Sequence, residues 1–236
     1  MPPKAMFRKK LRLSGLEFAC CEQCNFGTRA TDVVAAFFSR LSTTNDVEDW
    51  RVKEAYNFIG GVAQLAPGVI REIFGRRHQR QWFMQPSGLV ERVQRIQADG
   101  PVVNAMLTVF AAKLGMAFYR EHVGSPLPLE GGVYTQFYLN QGLADADASR
   151  MLKIMPVHDT LKQGKLHSNE QFGYRYNCDE RSIFAALIGF HSSLHFRTIV
   201  MTDTEPYRFL LGEYNVDLVR PGELVARVEA VADKQT

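Results

Sequence analysis

Cysteine is scarce in this chain, four of 236 residues, and three of the four fall within the five positions from Cys20 to Cys24. A distribution so uneven excludes a disulfide framework and favours a reducing compartment. No apolar run reaches the roughly 18 residues that a bilayer-spanning segment needs, so no membrane partner is expected. The basic N-terminus has no apolar stretch behind it, and a secretory signal is therefore not expected either. These absences set the expected location as cytoplasmic. The chain also lacks a Gly-x-Ser-x-Gly elbow, a phosphate loop and an internal repeat, and its one low-complexity stretch is a short polar tail from Asp233. Acidic residues are missing from the start: Lys4, Arg8, Lys9, Lys10 and Arg12 all precede the first of them, Glu17.

What is present bounds the size of the fold. With 46% hydrophobic residues over 236 positions, the chain can bury a full core as one large domain or two small ones. Its formal net charge of +3 is too mild to imply nucleic acid by itself. The local clusters carry more weight. One is the N-terminal arm; the other is Arg71, Arg76, Arg77 and Arg80, opposed only by Glu72. Clusters of this kind are the electrostatic footprint of a phosphate-binding surface, and equally the ordinary content of a solvated face.

The densest chemistry is Cys20-Cys21-Glu22-Gln23-Cys24-Asn25. A Cys-x-x-Cys pair at a tight turn presents two thiolates to one metal ion, and a structural zinc site needs four ligands, normally from two such turns. One pair is visible, so the spacing alone leaves three meanings open: half a zinc site, a redox dithiol, or two ordinary thiols. A redox dithiol expects a strand before the pair and a helix immediately after it. The run Asn25-Phe26-Gly27, followed by Thr28, reads instead as a turn, with a helix starting near Thr31. Cys20 reads as a small buried neighbour and Cys178 as a strand end.

Met1-Pro2-Pro3-Lys4 together with Gly15-Leu16-Glu17-Phe18-Ala19-Cys20-Cys21-Glu22-Gln23-Cys24-Asn25-Phe26-Gly27-Thr28 resembles the second half of an HNH endonuclease motif. The resemblance covers roughly residues 1 to 40, and Cys21-Glu22-Gln23-Cys24-Asn25 is its specific part. It implies a treble-clef, or ββα-metal, remnant in which Cys21 and Cys24 are structural zinc ligands. Asn25 then holds the position beside a catalytic magnesium or other divalent ion. Lys4, Lys9, Lys10 and Arg29 become phosphate contacts on DNA. The family's catalytic His, its first cysteine pair and its middle Asn have no counterpart, Leu16 standing near the place of the last. The His would fall just ahead of Met1. The expectation is therefore either a coding start inside a longer gene or a degenerate relative. A metal-dependent DNA endonuclease is the activity implied; the alternative is a non-catalytic module that binds nucleic acid or protein.

The rest of the chain reads as α+β. Residues 1 to 44 form the expected zinc-knuckle remnant and residues 45 to 236 an α+β domain, helical over 45 to 124 and strand-rich over 130 to 220. Thr31 to Leu41 has an apolar helical face, capped by Thr31 or Asp32. Glu48 to Phe74 reads as two helices interrupted at Gly60-Gly61 or Ala66-Pro67-Gly68. Leu89 to Ala98 reads as an amphipathic helix, and Val102 to His122 as the longest and most apolar one. Val133 to Leu139, Phe172 to Tyr176, Ser182 to Phe190 and Phe196 to Thr202 alternate or are β-branched, which predicts a meander of about four antiparallel strands on the long helix, with a helix near 145 to 155. His191 and His195 read as hydrogen-bonded sheet histidines rather than metal ligands.

Overall fold

The computed structural model describes residues 2–8, 21–41, 49–75, 80–84, 87–94, 98–139, 145–160, 162–163, 166–168, 171–179, 182–191, 193–209 and 217–232. The architecture is α+β. Its helices are α1 (Glu22–Gly27), α2 (Arg29–Arg40), α3 (Asp49–Leu65), α4 (Pro67–Gly75), α5 (Pro101–Val123), α6 (Asp145–Ile154) and α7 (Leu224–Ala232). Its strands are β1 (Arg80–Met84), β2 (Val90–Gln94), β3 (Gly132–Leu139), β4 (Val157–Asp159), β5 (Lys162–Gln163), β6 (Leu166–His167), β7 (Phe172–Cys178), β8 (Ile183–Phe190), β9 (Leu194–Met201) and β10 (Leu218–Val219). Six of them form one antiparallel sheet in the order β10-β3-β9-β8-β7-β4. The four expected strands are its centre, β3-β9-β8-β7. The two further strands are β4 and β10, too short to show periodicity in the sequence.

Helix α5 organises the molecule. Pro101 starts it and Gly124, at φ 82°, ends it in the left-handed conformation that a residue without Cβ adopts freely. Met106, Leu107, Val109, Phe110, Leu114 and Phe118 are all buried. Phe110 meets Phe190 and Phe196 from the sheet, and Phe118 stacks on Tyr174 at 4.4 Å between ring centres. By length and hydropathy α5 could cross a membrane, but 67% of its most apolar window is buried inside the fold. Helix α2 lies between α5 and α3, and the buried Met6, Phe7, Phe37 and Phe38 join the same core as α5 and the sheet.

Three local expectations are revised. Val90–Gln94 is a strand, paired with β1 so that Trp82 opposes Arg92 and Met84 opposes Val90; Gly88, at φ 84°, turns the chain between them. Asn25-Phe26-Gly27 is the end of helix α1, not a turn, and the next helix begins at Arg29. Neither Thr31 nor Asp32 caps that helix. The Thr31 hydroxyl donates to the Thr28 carbonyl and Asp32 accepts from Lys113 of α5 at 2.7 Å. Of the two expected breaks between α3 and α4, the one at Ala66 is used, with Pro67 opening α4. A ββ element before the cysteine turn would fall on residues 9–20, outside the described residues, as do Cys20 and the tail from Asp233.

Candidate functional site

Cys21 is the N-cap of α1, with the extended backbone (φ −62°, ψ 148°) that an N-cap takes. Its sulfur accepts the Cys24 amide at 3.2 Å, and the Cys21 carbonyl accepts the Asn25 amide at 3.0 Å. Cys24 is therefore one turn inside the helix, beside Cys21, and Asn25 follows on the exposed side. Hydrogen bonds from the Cys24 side chain and then from its backbone hold the Cys21 thiol below its ordinary pKa, which enriches the thiolate. The turn is braced from behind. Thr28 is fully buried and its hydroxyl donates to the Cys24 carbonyl at 2.7 Å. Gly27 lies so close to Val225 of α7 that a Cβ there would sit 2.8 Å from a valine methyl.

Two adjacent thiols at a helix start suit zinc as soft donors, and they are two of the four that a structural site needs. Among the described residues no group of three His, Cys, Asp or Glu converges as a metal site. Asn25 offers a hard carbonyl oxygen, suited to magnesium rather than zinc.

The basic residues are dispersed around α2. Arg29 is exposed at its first position, next to the cysteine turn. Lys4 is exposed on a 3-10 turn (Lys4–Met6) at the opposite end, because Arg40, the last residue of α2, grips that turn. The buried Arg40 guanidinium donates to the Met6 carbonyl at 3.1 Å and the Ala5 carbonyl at 3.2 Å, and pairs with Glu54 at 2.7 Å. Twelve helical residues separate the two ends, about 16 Å at 1.5 Å per residue. Lys4 and Arg29 are not brought to one point. Lys9 and Lys10 lie outside the described residues. Of the second basic cluster, Arg71 is exposed on α4, and the side chains of Arg76, Arg77 and Arg80 are not among those described.

The two spaced histidines part company. His191 occupies the β8–β9 turn at φ 50° and is buried, its Nε2 2.6 Å from the Met6 carbonyl. His195 stands on the face of β9 turned away from the helices. That outer face carries a groove between β4, β7, β8 and β9 which spacing did not signal, because its residues come from four separated strands.

The chain matches no family model, and no curated protein and no solved structure is similar to it.

Proposed function

We propose that the N-terminal region is the second half of an HNH-type, metal-dependent DNA endonuclease unit, carried on a larger α+β body. One observation supports this above the rest: the Cys-x-x-Cys pair straddles a helix start, Cys21 as cap and Cys24 in the first turn, with Asn25 exposed immediately after. That is where a treble-clef remnant needs its second ligand pair. In this reading Cys21 and Cys24 hold half of a structural zinc. Asn25 would supply a neutral oxygen to a catalytic divalent ion, whose contribution when bound would be to neutralise charge on the phosphate. Arg29, at the start of α2, and Lys4, on the turn held by its last residue, grip different phosphates of one duplex rather than the scissile one.

The start of α1 within the pair also meets the helix half of the redox-dithiol expectation, while the strand half would fall on residues 9–20, outside the described residues. The test must therefore separate metal from disulfide. Cobalt(II) added to the reduced chain is expected to give thiolate-to-metal charge-transfer absorption with the intensity of two thiolates, abolished in Cys21→Ser, Cys24→Ser. Zinc should displace it, at low affinity while two ligands are missing. If the serine variant absorbs equally, or if the pair oxidises to a disulfide in mild thiol buffer and takes no metal, the proposal fails.

A further inference from the structure

The outer face of the sheet is uncovered by α5 and α2, and its side chains form cross-strand rows. One row runs Gln136, Arg197, Leu187, Arg175, His158 across β3, β9, β8, β7 and β4. The next runs Tyr138, His195, Gly189, Gly173. No carboxylate stands on this face among the described strand residues, although four of the nine positions in these rows are Arg or His. The paired glycines Gly173 and Gly189 lower the floor, and over them lies a groove of about 390 Å³. That volume falls in the range of small-molecule sites, ~300–1,000 Å³.

The walls of the groove are chemically specific. The His195 ring covers Gly189, its Nε2 3.3 Å from where a Cβ would be, and the His158 Nε2 lies 3.5 Å from the corresponding point at Gly173. Two imidazoles thus border one pair of hydrogen-bonded glycines. Arg175 stands beside them, half-buried, with no hydrogen-bond or ion-pair partner among the described residues. Its neighbour two strands away, Arg197, is committed to Gln136 at 2.5 Å and lies over the Tyr134 ring at 5.6 Å. Leu187 and Leu152 supply an apolar side. A half-buried guanidinium with no acceptor among the described residues, two imidazole nitrogens and a described lining without a carboxylate make a site for a compact polyvalent anion. Burial holds His195 below its ordinary pKa, so in the empty groove it is neutral near pH 7 and the arginine carries the charge.

We propose that this groove binds a nucleoside 5′-phosphate, either free or as the end of a strand. The phosphate takes Arg175, His158 and His195, and the flat nucleoside lies along the glycine floor against Leu152 and Leu187. Glycine in a strand is the residue that lets a ligand approach the backbone closely, and histidine rings also stack on bases. The four strands that build the groove contain no residue of the cysteine turn, so the site is independent of the endonuclease proposal.

Isothermal titration of the full chain tests it, with adenosine 5′-monophosphate, adenosine, and a tetranucleotide with and without a 5′-phosphate. The phosphorylated ligands are expected to bind at least tenfold more tightly than their unphosphorylated partners. Arg175→Gln should weaken the monophosphate at least tenfold, with an unchanged melting temperature because Arg175 has no partner to lose among the described residues. Gly173→Ala raises the floor: its Cβ would meet His158 and Thr160 at 3.5 and 3.7 Å, ordinary contact distances, so the fold tolerates it and binding weakens. Arg71→Gln, on α4, should bind as the parent does. Cys21→Ser, Cys24→Ser should also bind unchanged, which separates this site from the metal half-site. A tetranucleotide tenfold tighter than the monophosphate identifies the strand end as occupant, and equal affinities identify the free nucleotide. The proposal is overturned if adenosine binds as well as its phosphate, if no phosphorylated ligand binds, or if Arg175→Gln matches the parent.

Discussion

His191 is charged at a penalty in the folded chain. Burial is the first reason, the Arg40 guanidinium the second and Arg51 a further one, against the opposing Met6 carbonyl and Glu54, and together they depress its pKa to about 4 from the ordinary 6.5. Trp50 closes over the ring edge-on at 5.7 Å. The unfolded chain protonates this group near pH 6.5 while the folded one resists until about 4. Unfolding therefore takes up a proton in that interval, and stability from His191 is complete above 6.5 and lost as the pH falls toward 4. The loss is on the order of 3 kcal/mol, from 1.36 kcal/mol per pKa unit. His191→Asn keeps a residue that tolerates positive φ and removes the titration. Urea midpoints at pH 7 and pH 4.5 should show a smaller acid destabilisation in the variant than in the parent; equal losses in the two would assign the acid sensitivity to other groups.

At the scale of elements, the most consequential contact is remote capping. Gly100 precedes α5 and has no side chain to cap it, so the orphan amides of Val102 and Val103 are taken by the Glu72 carboxylate from α4, each at 2.9 Å. A Cβ at Gly100 would sit 2.3 Å from that carboxylate and displace it. Glu72→Ala and Gly100→Ala should each reduce stability by about 1–2 kcal/mol, the worth of a cap. Because both remove the same two hydrogen bonds, the double variant should lose about as much as either single one. A denaturant double-mutant cycle that came out additive would refute the shared contact. The same elements mark where the sequence is readable. Pro101 and Gly124 announce α5, alternation announces β3 and β7, and a turn signal and β-branched apolar content announce β8 and β9, since each signal is local. Glu72 gives no signal of its role, because its partners lie thirty positions on. Val90, Val93 and Ile96 recur every three residues and so imitate a helix, whereas the strand pairing with Trp82 and Met84 that decides the matter is a contact between segments. The outer-face groove is illegible for the same reason: a sheet assembles it from four strands, two of them connected through the turn at His191.

For the molecule as a whole, the DNA contact proposed above depends on how the N-terminal lysines are presented. Met6 and Phe7 are buried in the central core, and Arg40 fastens the two preceding carbonyls, so Lys4 projects from a fixed turn rather than a loose tail. Arg8, next along, is held over Trp50 at 4.6 Å. Fixed cations contact phosphates in register, and each contact contributes about −0.9 to the slope of log affinity against log salt. Lys4→Ala, Lys9→Ala, Lys10→Ala is thus expected to flatten the salt dependence of duplex binding by roughly two to three units, with sequence preference unchanged. Arg29→Ala, at the far end of α2, should flatten it by a further unit or so, because the two proposed contacts lie at opposite ends of a helix about 16 Å long and neither substitutes for the other. Magnesium- or manganese-dependent cleavage of plasmid DNA by residues 1 to 236 should stay undetectable or very slow, since no His stands among the first 25 residues to act as the family's general base. Fluorescence anisotropy across a salt series reads the slopes, and plasmid nicking reads the cleavage. An unaltered slope in the triple variant would make the arm a solvated face, and efficient cleavage by the unmodified chain would place the catalytic base elsewhere and overturn the role given to Asn25.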